Sequence, residues 1–435
     1  MNCTGEQKGE KLTNEDLWAA LERFRAWLEK TGNASYDPYD LPSTRYGRWA
    51  RRLYYEKHSF GVVLNAPMIL IELIAPSIRS LFVQKERYAT ADAQLALAFM
   101  NLHETLRYGK TSCTIIKTDP SDCLRQAKIL AASLLNQSIP GYSGHCWGYP
   151  FDWQNVNGLM KKHTPHITAT PYCYETFARL FDLTGDSQYL AIARSVSRFV
   201  DRDLHDTPCG RGATAASYTP NDHSKVVNAS AYRTFVLFDA ARRFDNAAYY
   251  TKAWQNLRFI LDTQQPNGSW LYAIDNPREA FIDHFHTCFV LKNLQKVNQT
   301  LQNDEVRHAI AAGYDYYRNN LFDHENNPRS YTIAPRVQIV RLEMYNLAEA
   351  ITLGALLRDE IPEAYQLAHI LASRLIKNYQ LRDGHWVTRV YLGGIRHTFP
   401  FLRWPQSQLF HALTKLLIAS CDDCPAISQE FASHV

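Results

Sequence analysis

Three aspartates and one histidine lie in polar segments of the sequence where they could take part in acid–base chemistry. Asp152, Asp222 and Asp283 fall in different segments, and His286 lies one helical turn after Asp283. Two carboxylates that flank a glycosidic bond, roughly 5–10 Å apart, can hydrolyse that bond. A histidine can instead abstract or donate a proton near neutral pH. These residues alone leave both chemistries open.

Asp283 and His286 begin a predicted helix, and their spacing puts both side chains on one helix face. Asp283 could equally be a helix cap, because a carboxylate complements the dipole at a helix N-terminus. His284 falls on a different face, so the two histidines would chelate a metal poorly, and no His-Glu-x-x-His pattern is present. We therefore predict no metal and no cofactor, and we consider His286 better placed than His284 for chemistry.

Aromatic side chains accompany these polar residues and indicate a carbohydrate ligand. Tryptophan and tyrosine rings can stack on the apolar faces of sugars, while Asp, Asn, His and Arg bind hydroxyl groups and carboxylates. Each ring taken singly could equally be loop packing, so the argument rests on their concentration in the loops. We predict Trp147 and Trp153 as sugar platforms and Arg403 as a contact to a substrate carboxylate. Tyr218 is a further candidate for acid–base chemistry. The other predicted substrate contacts are Tyr149, His166, Asn228, Trp270 and Trp404.

Repeated helical hairpins would position these residues. Similar polar stretches begin helices at a spacing of about 60 residues, which suits two helices and a long loop. A single hairpin cannot bury its apolar stripe, so the copies must pack side by side. These stretches are 186–189, 246–249, 303–306 and 362–365.

Apolar periodicity predicts eleven helices from residue 89 onward, which make five pairs and one unpaired helix. An N-terminal helix within residues 1–33, with Asn14 as its cap, could complete a sixth pair and close a ring. We therefore predict that residues 86–435 form an all-α (α/α)6 toroid. Residues 1–85 are predicted to pack on this ring and to close it. An open helical array is the alternative. The predicted helices are 89–107, 121–137, 172–184, 187–203, 228–243, 247–264, 284–299, 304–319, 338–357, 363–379 and 406–420.

Long loops alternate with short ones, and all the long loops would emerge on one face of the ring. Long loops in a compact domain are usually functional, and a concave mouth rich in aromatic residues is a natural ligand site. The long loops are 138–170, 204–227, 265–283, 320–337 and 380–405.

Composition narrows the cellular context. The net charge of +4 is too small to imply nucleic acid. The nine cysteines are scattered and odd in number, which argues against a disulfide framework. The N-terminus carries acidic residues and no apolar core, so it does not resemble a signal peptide. We expect a cytoplasmic protein with free thiols.

The most apolar stretch runs from Val62 to Val83 and is predicted to contain a helix at 63–82. Glu72, Arg79 and two prolines make it a poor membrane-spanning helix. Basic residues flank it, so a peripheral contact with the inner membrane is one interpretation. The favoured interpretation is a helix buried in the core.

The chain resembles a family of toroid proteins encoded in bacterial exopolysaccharide and capsule clusters, which is related to the six-hairpin glycosidase superfamily. The resemblance extends over residues 36–420. An aromatic run from Cys146 to Trp153 is its most specific mark. The other marks are Tyr36-Asp37-Pro38-Tyr39-Asp40, Ala169-Thr170-Pro171, Tyr218-Thr219-Pro220 with Asp222 and Asn228, Gly268-Ser269-Trp270, Asp283 with Phe285-His286-Thr287, and Arg403-Trp404.

The resemblance implies a role in producing a bacterial surface polysaccharide and leaves the reaction open. One expectation is an enzyme that abstracts the C5 proton of a uronate, since the chain also resembles, distantly, the helical domains of glucuronyl C5-epimerases and toroid uronate lyases. Such an enzyme needs a base and a group that neutralises the substrate carboxylate. The candidates for these two roles are Arg403, His286, His166 and Tyr218. A glycoside hydrolase with paired aspartates is a second expectation, and a non-catalytic glycan-binding scaffold is a third. The expected partner is a glycan, which could be lipid-linked.

Overall fold

A computed structural model describes residues 12–58, 60–109, 118–334 and 338–421. Its helices form two concentric rings joined by loops that contain short strands. The helices are α1 (Asn14–Thr31), α2 (Asp40–Ser43), α3 (Arg45–Tyr55), α4 (Phe60–Ile74), α5 (Ala89–Tyr108), α6 (Pro120–Asn136), α7 (Thr170–Thr184), α8 (Ser187–Arg202), α9 (Val227–Phe244), α10 (Ala247–Asp262), α11 (His284–Leu301), α12 (Asp304–Asn320), α13 (Met344–Leu356), α14 (Pro362–Tyr379) and α15 (Ser407–Ala419).

The inner ring consists of α5, α7, α9, α11, α13 and α15, each in contact with its neighbours, and contact between α15 and α5 closes it. Each of the first five inner helices pairs with the outer helix that follows it in sequence, and α1 packs on α15. Burial agrees with two layers: α5 is buried on nearly all sides, whereas α6 buries a single stripe. The predicted all-α (α/α)6 toroid is confirmed.

The repeated polar stretches mark the starts of the outer helices. Asp186 caps α8 by accepting a hydrogen bond from the Gln188 N–H at 2.9 Å, and Asn246 and Asn303 cap α10 and α12 in the same way. The fourth stretch begins α14 with Pro362 instead, whose fixed backbone angle suits the first turn. At the N-terminus the cap of α1 is Thr13, not Asn14, because Thr13 and Asp16 form a reciprocal capping box.

The long loops contain short antiparallel strands that the sequence analysis did not predict. The loop strands form three two-stranded sheets and the three-stranded sheet β7-β8-β9. The strands are β1 (Trp153–Asn155), β2 (Gly158–Met160), β3 (Asp206–Pro208), β4 (Thr214–Ala216), β5 (Ile282–Asp283), β6 (Tyr331–Ile333), β7 (Val340–Glu343), β8 (Arg389–Tyr391) and β9 (Arg396–His397).

The structure differs from the predicted helices at two places. The predicted helix 338–357 begins only at Met344, because Val340–Glu343 pair with β8 and the Arg389 guanidinium bonds Glu343 at 2.6 Å. The segment 36–60, for which no helix was predicted, contains the helices α2 and α3. Helix α3 was hidden because its face is basic and aromatic rather than apolar.

The apolar stretch is not buried in the core, contrary to the favoured prediction. It forms α4 and a 3-10 helix, Pro76–Leu81, whose large apolar side chains are mostly exposed. Its inward side instead presents Glu72 and Arg79, which ion-pair with each other. In the described residues no helix is long and apolar enough to cross a membrane.

The N-terminal segment packs on the ring. Helix α1 contacts α15, and the hydroxyl of Ser35 accepts a hydrogen bond from the Leu402 N–H at 3.1 Å. The domain boundary between residues 85 and 86 remains a prediction, and its outermost parts, 1–11 and 422–435, lie outside the described residues. Five cysteines within the described residues are free thiols, namely Cys123, Cys146, Cys173, Cys209 and Cys288, and Cys3, Cys113 and Cys424 lie outside the described residues.

Candidate active site

A cavity of about 1480 Å³ opens at one end of the ring. Every inner helix contributes a residue from its N-terminal half, so the positive ends of six helix dipoles converge on this space. Pockets for drug-sized ligands are typically about 300–1,000 Å³, so this cavity suits a longer ligand that carries negative charge. The long loops form its rim, as predicted.

Asp283 and His286 form a hydrogen-bonded pair in this cavity. Asp283 caps α11 with Oδ1, which accepts the backbone N–H of His286 at 3.0 Å, and its Oδ2 lies 2.7 Å from His286 Nδ1. A carboxylate on Nδ1 fixes the proton there and leaves Nε2 as the acceptor. Within the described residues Nε2 has no hydrogen-bond partner, and the ring lines the cavity. Asp283 therefore both caps the helix and orients a candidate base.

Aromatic rings enclose His286. Tyr272 lies 4.5 Å from it between ring centroids and stacks on Phe281 at 4.7 Å. Burial raises the pKa of Tyr272 well above its usual value, so its phenol stays protonated and does not act as a base. His284 has its Nε2 2.7 Å from the Tyr317 hydroxyl and is fully buried, so it does not reach the cavity.

Arg403 lies in the cavity wall but already has a counter-ion. Its Nε and Nη2 donate to Asp37 at 2.5 and 2.7 Å, and the guanidinium lies 4.8 Å from the centroid of the Tyr149 ring. Burial lowers the pKa of Arg403, but the Asp37 carboxylate more than offsets this and raises it overall, so the cation is permanent. Only Nη1 has no partner among the described residues and is left for a ligand.

Trp404 and Tyr345 form a flat aromatic wall beside Arg403. Their rings are stacked 3.8 Å apart at 9°, and Phe285 meets the Trp404 ring edge-on at 5.4 Å. This wall lies between Arg403 and the helix that carries His286. Trp153 and Tyr149, which meet at 5.8 Å, form a second aromatic group, in which the Tyr149 ring contacts the Arg403 guanidinium. Four of the predicted substrate contacts thus line the cavity: Tyr149, Trp153, Arg403 and Trp404.

Asp222 and Tyr218 also line the cavity, but neither is available as a base. The two Asp222 oxygens accept five hydrogen bonds from Tyr218, Thr219 and Ser224. Burial raises the pKa of Asp222, and these bonds outweigh burial and lower it. The Tyr218 hydroxyl lies 2.9 Å from the Thr168 hydroxyl, and burial raises its pKa, so it remains a proton donor.

Three other predicted residues lie away from the cavity. Asp152 ion-pairs with Arg48 at 2.9 Å and accepts the Lys162 N–H at 2.9 Å. Trp147 and Trp270 are buried, and their indole N–H groups donate to backbone carbonyls at 2.7 and 2.9 Å. In this structure both tryptophans are core residues rather than sugar platforms.

His166 and Asn228 are buried just behind the cavity wall. His166 lies under Tyr149, 4.3 Å between centroids, and burial lowers its pKa to about 3. It is therefore neutral and cannot neutralise a carboxylate. Asn228 is buried against a small void that Asp283 and His286 also line. Neither residue lines the main cavity.

Several residues of the cavity and its wall were not predicted from the sequence. Ten tyrosines line it, so the ligand surface is mainly phenolic rather than indolic. Asp37 and Tyr39 belong to the first motif of the noted resemblance, which was the available signal for them. Tyr345 and Tyr272 had no such signal, because each lies in an ordinary apolar context.

A polar bridge crosses the mouth of the cavity. Asn157, in the β1–β2 turn, donates to Glu279 at 3.0 Å and accepts from Asn276 at 3.0 Å, and Asn276 also donates to Glu279. The β1–β2 hairpin is thereby tied to the loop that precedes α11. The hairpin forms part of a roof over the ligand space.

We expect Asn157→Asp to loosen this roof, because it places a second carboxylate beside Glu279. A penalty of about 1–2 kcal/mol would raise the open population about 5- to 30-fold. Trypsin cleavage after Lys161, which is exposed beside the hairpin, should accelerate accordingly. Asn221→Asp, at the rim and away from the bridge, is the control and should leave the cleavage rate unchanged. Equal cleavage rates for Asn157→Asp and Asn221→Asp would contradict the prediction that the bridge keeps the roof closed.

No protein-family model matches the sequence, and the comparison with curated proteins finds no match. Solved structures do match. A sugar epimerase from a ruminal bacterium is 12% identical with a TM-score of 0.57, over 81% of this chain and 98% of that chain. A GH76 α-mannanase from Bacteroides thetaiotaomicron is 11% identical with a TM-score of 0.56, over 88% and 98%. A family 88 glycosyl hydrolase from Bacteroides vulgatus is 12% identical with a TM-score of 0.56, over 94% and 99%.

These similarities show the fold. They agree with the six-hairpin architecture noted from the sequence, and the same architecture serves an epimerase and hydrolases. The exopolysaccharide or capsule context stays a prediction. The fold alone leaves the reaction open.

Proposed function

We propose that the protein is an enzyme that removes the C5 proton of a uronate residue in a bacterial exopolysaccharide or capsular glycan, as an epimerase or a lyase. The observation behind the proposal is the Asp283–His286 pair, which leaves one imidazole nitrogen without a partner among the described residues, in a large aromatic cavity. As part of the proposal, the protein works in the cytoplasm.

In the proposed step, His286 Nε2 takes the proton from C5, and the electron pair of the C–H bond moves into the substrate carboxylate. The resulting enolate carries additional negative charge, which donors placed in advance can stabilise. Arg403 Nη1 and the protonated hydroxyl of Tyr218 are the candidate donors. Return of a proton to the opposite face of C5 gives the epimer. Loss of the C4 oxygen, which leaves with a proton, gives an unsaturated end.

The paired-aspartate hydrolase is less well supported because the cavity offers no suitable pair of free carboxylates among the described residues. Asp152 lies elsewhere, Asp222 is saturated with hydrogen bonds and Asp283 is bound to His286. Of the two other lining carboxylates, Glu279 is tied into the bridge and Asp275 is exposed at the rim. Hydrolysis needs one carboxyl group that stays protonated and a second that is ionised.

The test is NMR and mass analysis of acidic glycans incubated with the protein in heavy water. Deuterium at C5 with an unchanged chain length is expected for an epimerase, and a new unsaturated end for a lyase. New saturated reducing ends without deuterium at C5 would establish hydrolysis and refute the proposal. A glycan that binds but does not change in any way would point instead to a scaffold.

A further inference from the structure

In the segment from Tyr46 to Phe82, apolar side chains face the solvent and charged side chains are buried, which is the reverse of the usual arrangement. Of the 21 exposed large hydrophobic side chains in the described residues, 11 lie in this short segment. Phe60, Val63 and Ile74 of α4 are 72%, 68% and 78% exposed, and Leu81 is 78% exposed. We call the exposed apolar side chains of α3, α4 and the 3-10 helix the hairpin surface. Contiguous apolar patches of this kind normally mark an interaction site.

Buried charges fix the orientation of this surface. Arg79 has no solvent exposure, ion-pairs with Glu72 and with Asp40 at 2.9 Å, and lies 4.6 Å from the centroid of the Phe401 ring. The charged groups therefore face the ring and the apolar groups face away from it. Because rotating α4 inward would break this buried cluster, its apolar face stays outward.

Helices α3 and α4 form a rigid pair. The Tyr46 hydroxyl donates to the Leu64 carbonyl at 2.7 Å, and Asn65 donates to the Ala50 carbonyl at 3.1 Å. A Cβ at Gly61 would lie 2.5 Å from the Tyr54 Cα, so only glycine permits this close approach. The hairpin surface is thus presented by a packed unit.

Positive charge borders the hairpin surface. Arg45 and Arg52 lie on the same side of α3 as the exposed Trp49, and Lys57 and Lys85 are also exposed. The exposed acidic groups nearby are Glu56 and Glu86. Tryptophan and basic side chains around an apolar helix face are typical of a segment that lies in a membrane interface.

We propose that the hairpin surface docks on an anionic lipid bilayer. Basic groups complement anionic headgroups, and α4 is too short to span, so it would lie in the interface plane. A second copy of the chain fits less well, because a two-fold contact would bring the same basic rim against itself. An acidic protein partner is the remaining alternative, and the test distinguishes it from a bilayer.

Docking would place the cavity beside the lipid headgroups. Tyr54, Tyr55 and Lys57, at the end of α3, line the cavity and adjoin the hairpin surface. This part of the inference rests on the proposed function: the glycan would be one presented at a membrane surface on a lipid carrier. An aromatic cavity that opens next to the headgroups suits such a substrate.

The experiment is flotation of the full chain with vesicles of phosphatidylcholine alone or of phosphatidylcholine with about 30% phosphatidylglycerol, which gives the bilayer an anionic surface. We expect binding to the anionic vesicles, weakened by salt. Val63→Asp with Leu70→Asp should reduce binding on the order of tenfold or more. Ile129→Asp with Ile370→Asp, at exposed apolar positions of α6 and α14, is the matched control and should bind like the parent.

Absence of vesicle binding by the parent protein would overturn the proposal. Loss of a dimer in the Val63/Leu70 variant, without vesicle binding by the parent, would assign the surface to a second copy. Capture of an acidic protein in place of vesicles would assign it to that partner. No glycan is needed for flotation, so the result is independent of the proposed reaction. If both the docking and the proposed reaction are correct, the Val63/Leu70 variant should keep C5 exchange on soluble glycan and lose it on vesicle-anchored glycan.

Discussion

His286→Gln is expected to lower the rate of C5 proton exchange by about 10²- to 10⁴-fold, the usual contribution of a general base. Glutamine retains similar volume and hydrogen-bonding capacity but cannot take a proton at Nε2. The measurement is deuterium incorporation at C5 under saturating glycan, with the affinity for the glycan measured separately. The fold should survive, because His286 is partly exposed and its backbone N–H still binds Asp283.

Two further variants sharpen this prediction. His308→Gln replaces an exposed histidine of α12 and should leave the exchange rate unchanged. Asp283→Asn keeps a side chain that can cap α11 and removes the negative charge that supports a protonated imidazole. We expect a smaller loss than for His286→Gln. An exchange rate in His286→Gln within twofold of the parent would exclude His286 as the base.

The fold was predictable because its signals are local. Helix spans follow from apolar periodicity and from caps such as Asp186, Asn246 and Asn303, which lie next to the helices they start. The Asp283–His286 pair was predictable for the same reason, since one helical turn joins the two residues. The short loop strands were not, because each depends on a partner strand supplied by the fold of the loop.

The environment of each loop residue was not predictable. Trp147 and Trp153 belong to one aromatic run, yet one is buried in the core and the other lines the cavity, and only long-range packing separates them. The hydrogen bonds that occupy the Asp222 carboxylate could be predicted locally, because the hydroxyls that donate them belong to the nearby Thr219 and Ser224. The pairing of Asp37 with Arg403 had none, because these residues lie at opposite ends of the sequence.

The apolar stretch shows how composition can mislead. A run of apolar residues predicts either a core helix or an interface helix, and periodicity does not distinguish them. Glu72 and Arg79 correctly indicated that the stretch is not a membrane-spanning helix. Their position on the inward side could not be predicted, because it depends on tertiary packing. The structure therefore reverses the preferred interpretation and leaves the apolar side of α4 exposed.

Asp37→Ala is expected to lower the free energy of unfolding by about 3–5 kcal/mol, the usual cost of removing one partner of a buried ion pair. Asp37 is fully buried and accepts two hydrogen bonds from Arg403, which would be left buried without a counter-ion. Urea unfolding followed by circular dichroism measures the change. Asp122→Ala breaks the exposed Asp122–Arg125 pair and should cost at most about 1 kcal/mol.

A double variant separates the cost of an orphaned charge from the value of the pair itself. Replacing a buried ion pair by apolar residues of similar volume is often close to neutral. Asp37→Ala with Arg403→Met should therefore recover much of the stability lost in Asp37→Ala alone, while abolishing any carboxylate contact by Arg403. A double variant as unstable as the sum of the single ones would mean that the pair has no coupling energy. Recovery of stability without recovery of C5 exchange would show that the exchange requires Arg403 itself and not only a stable fold.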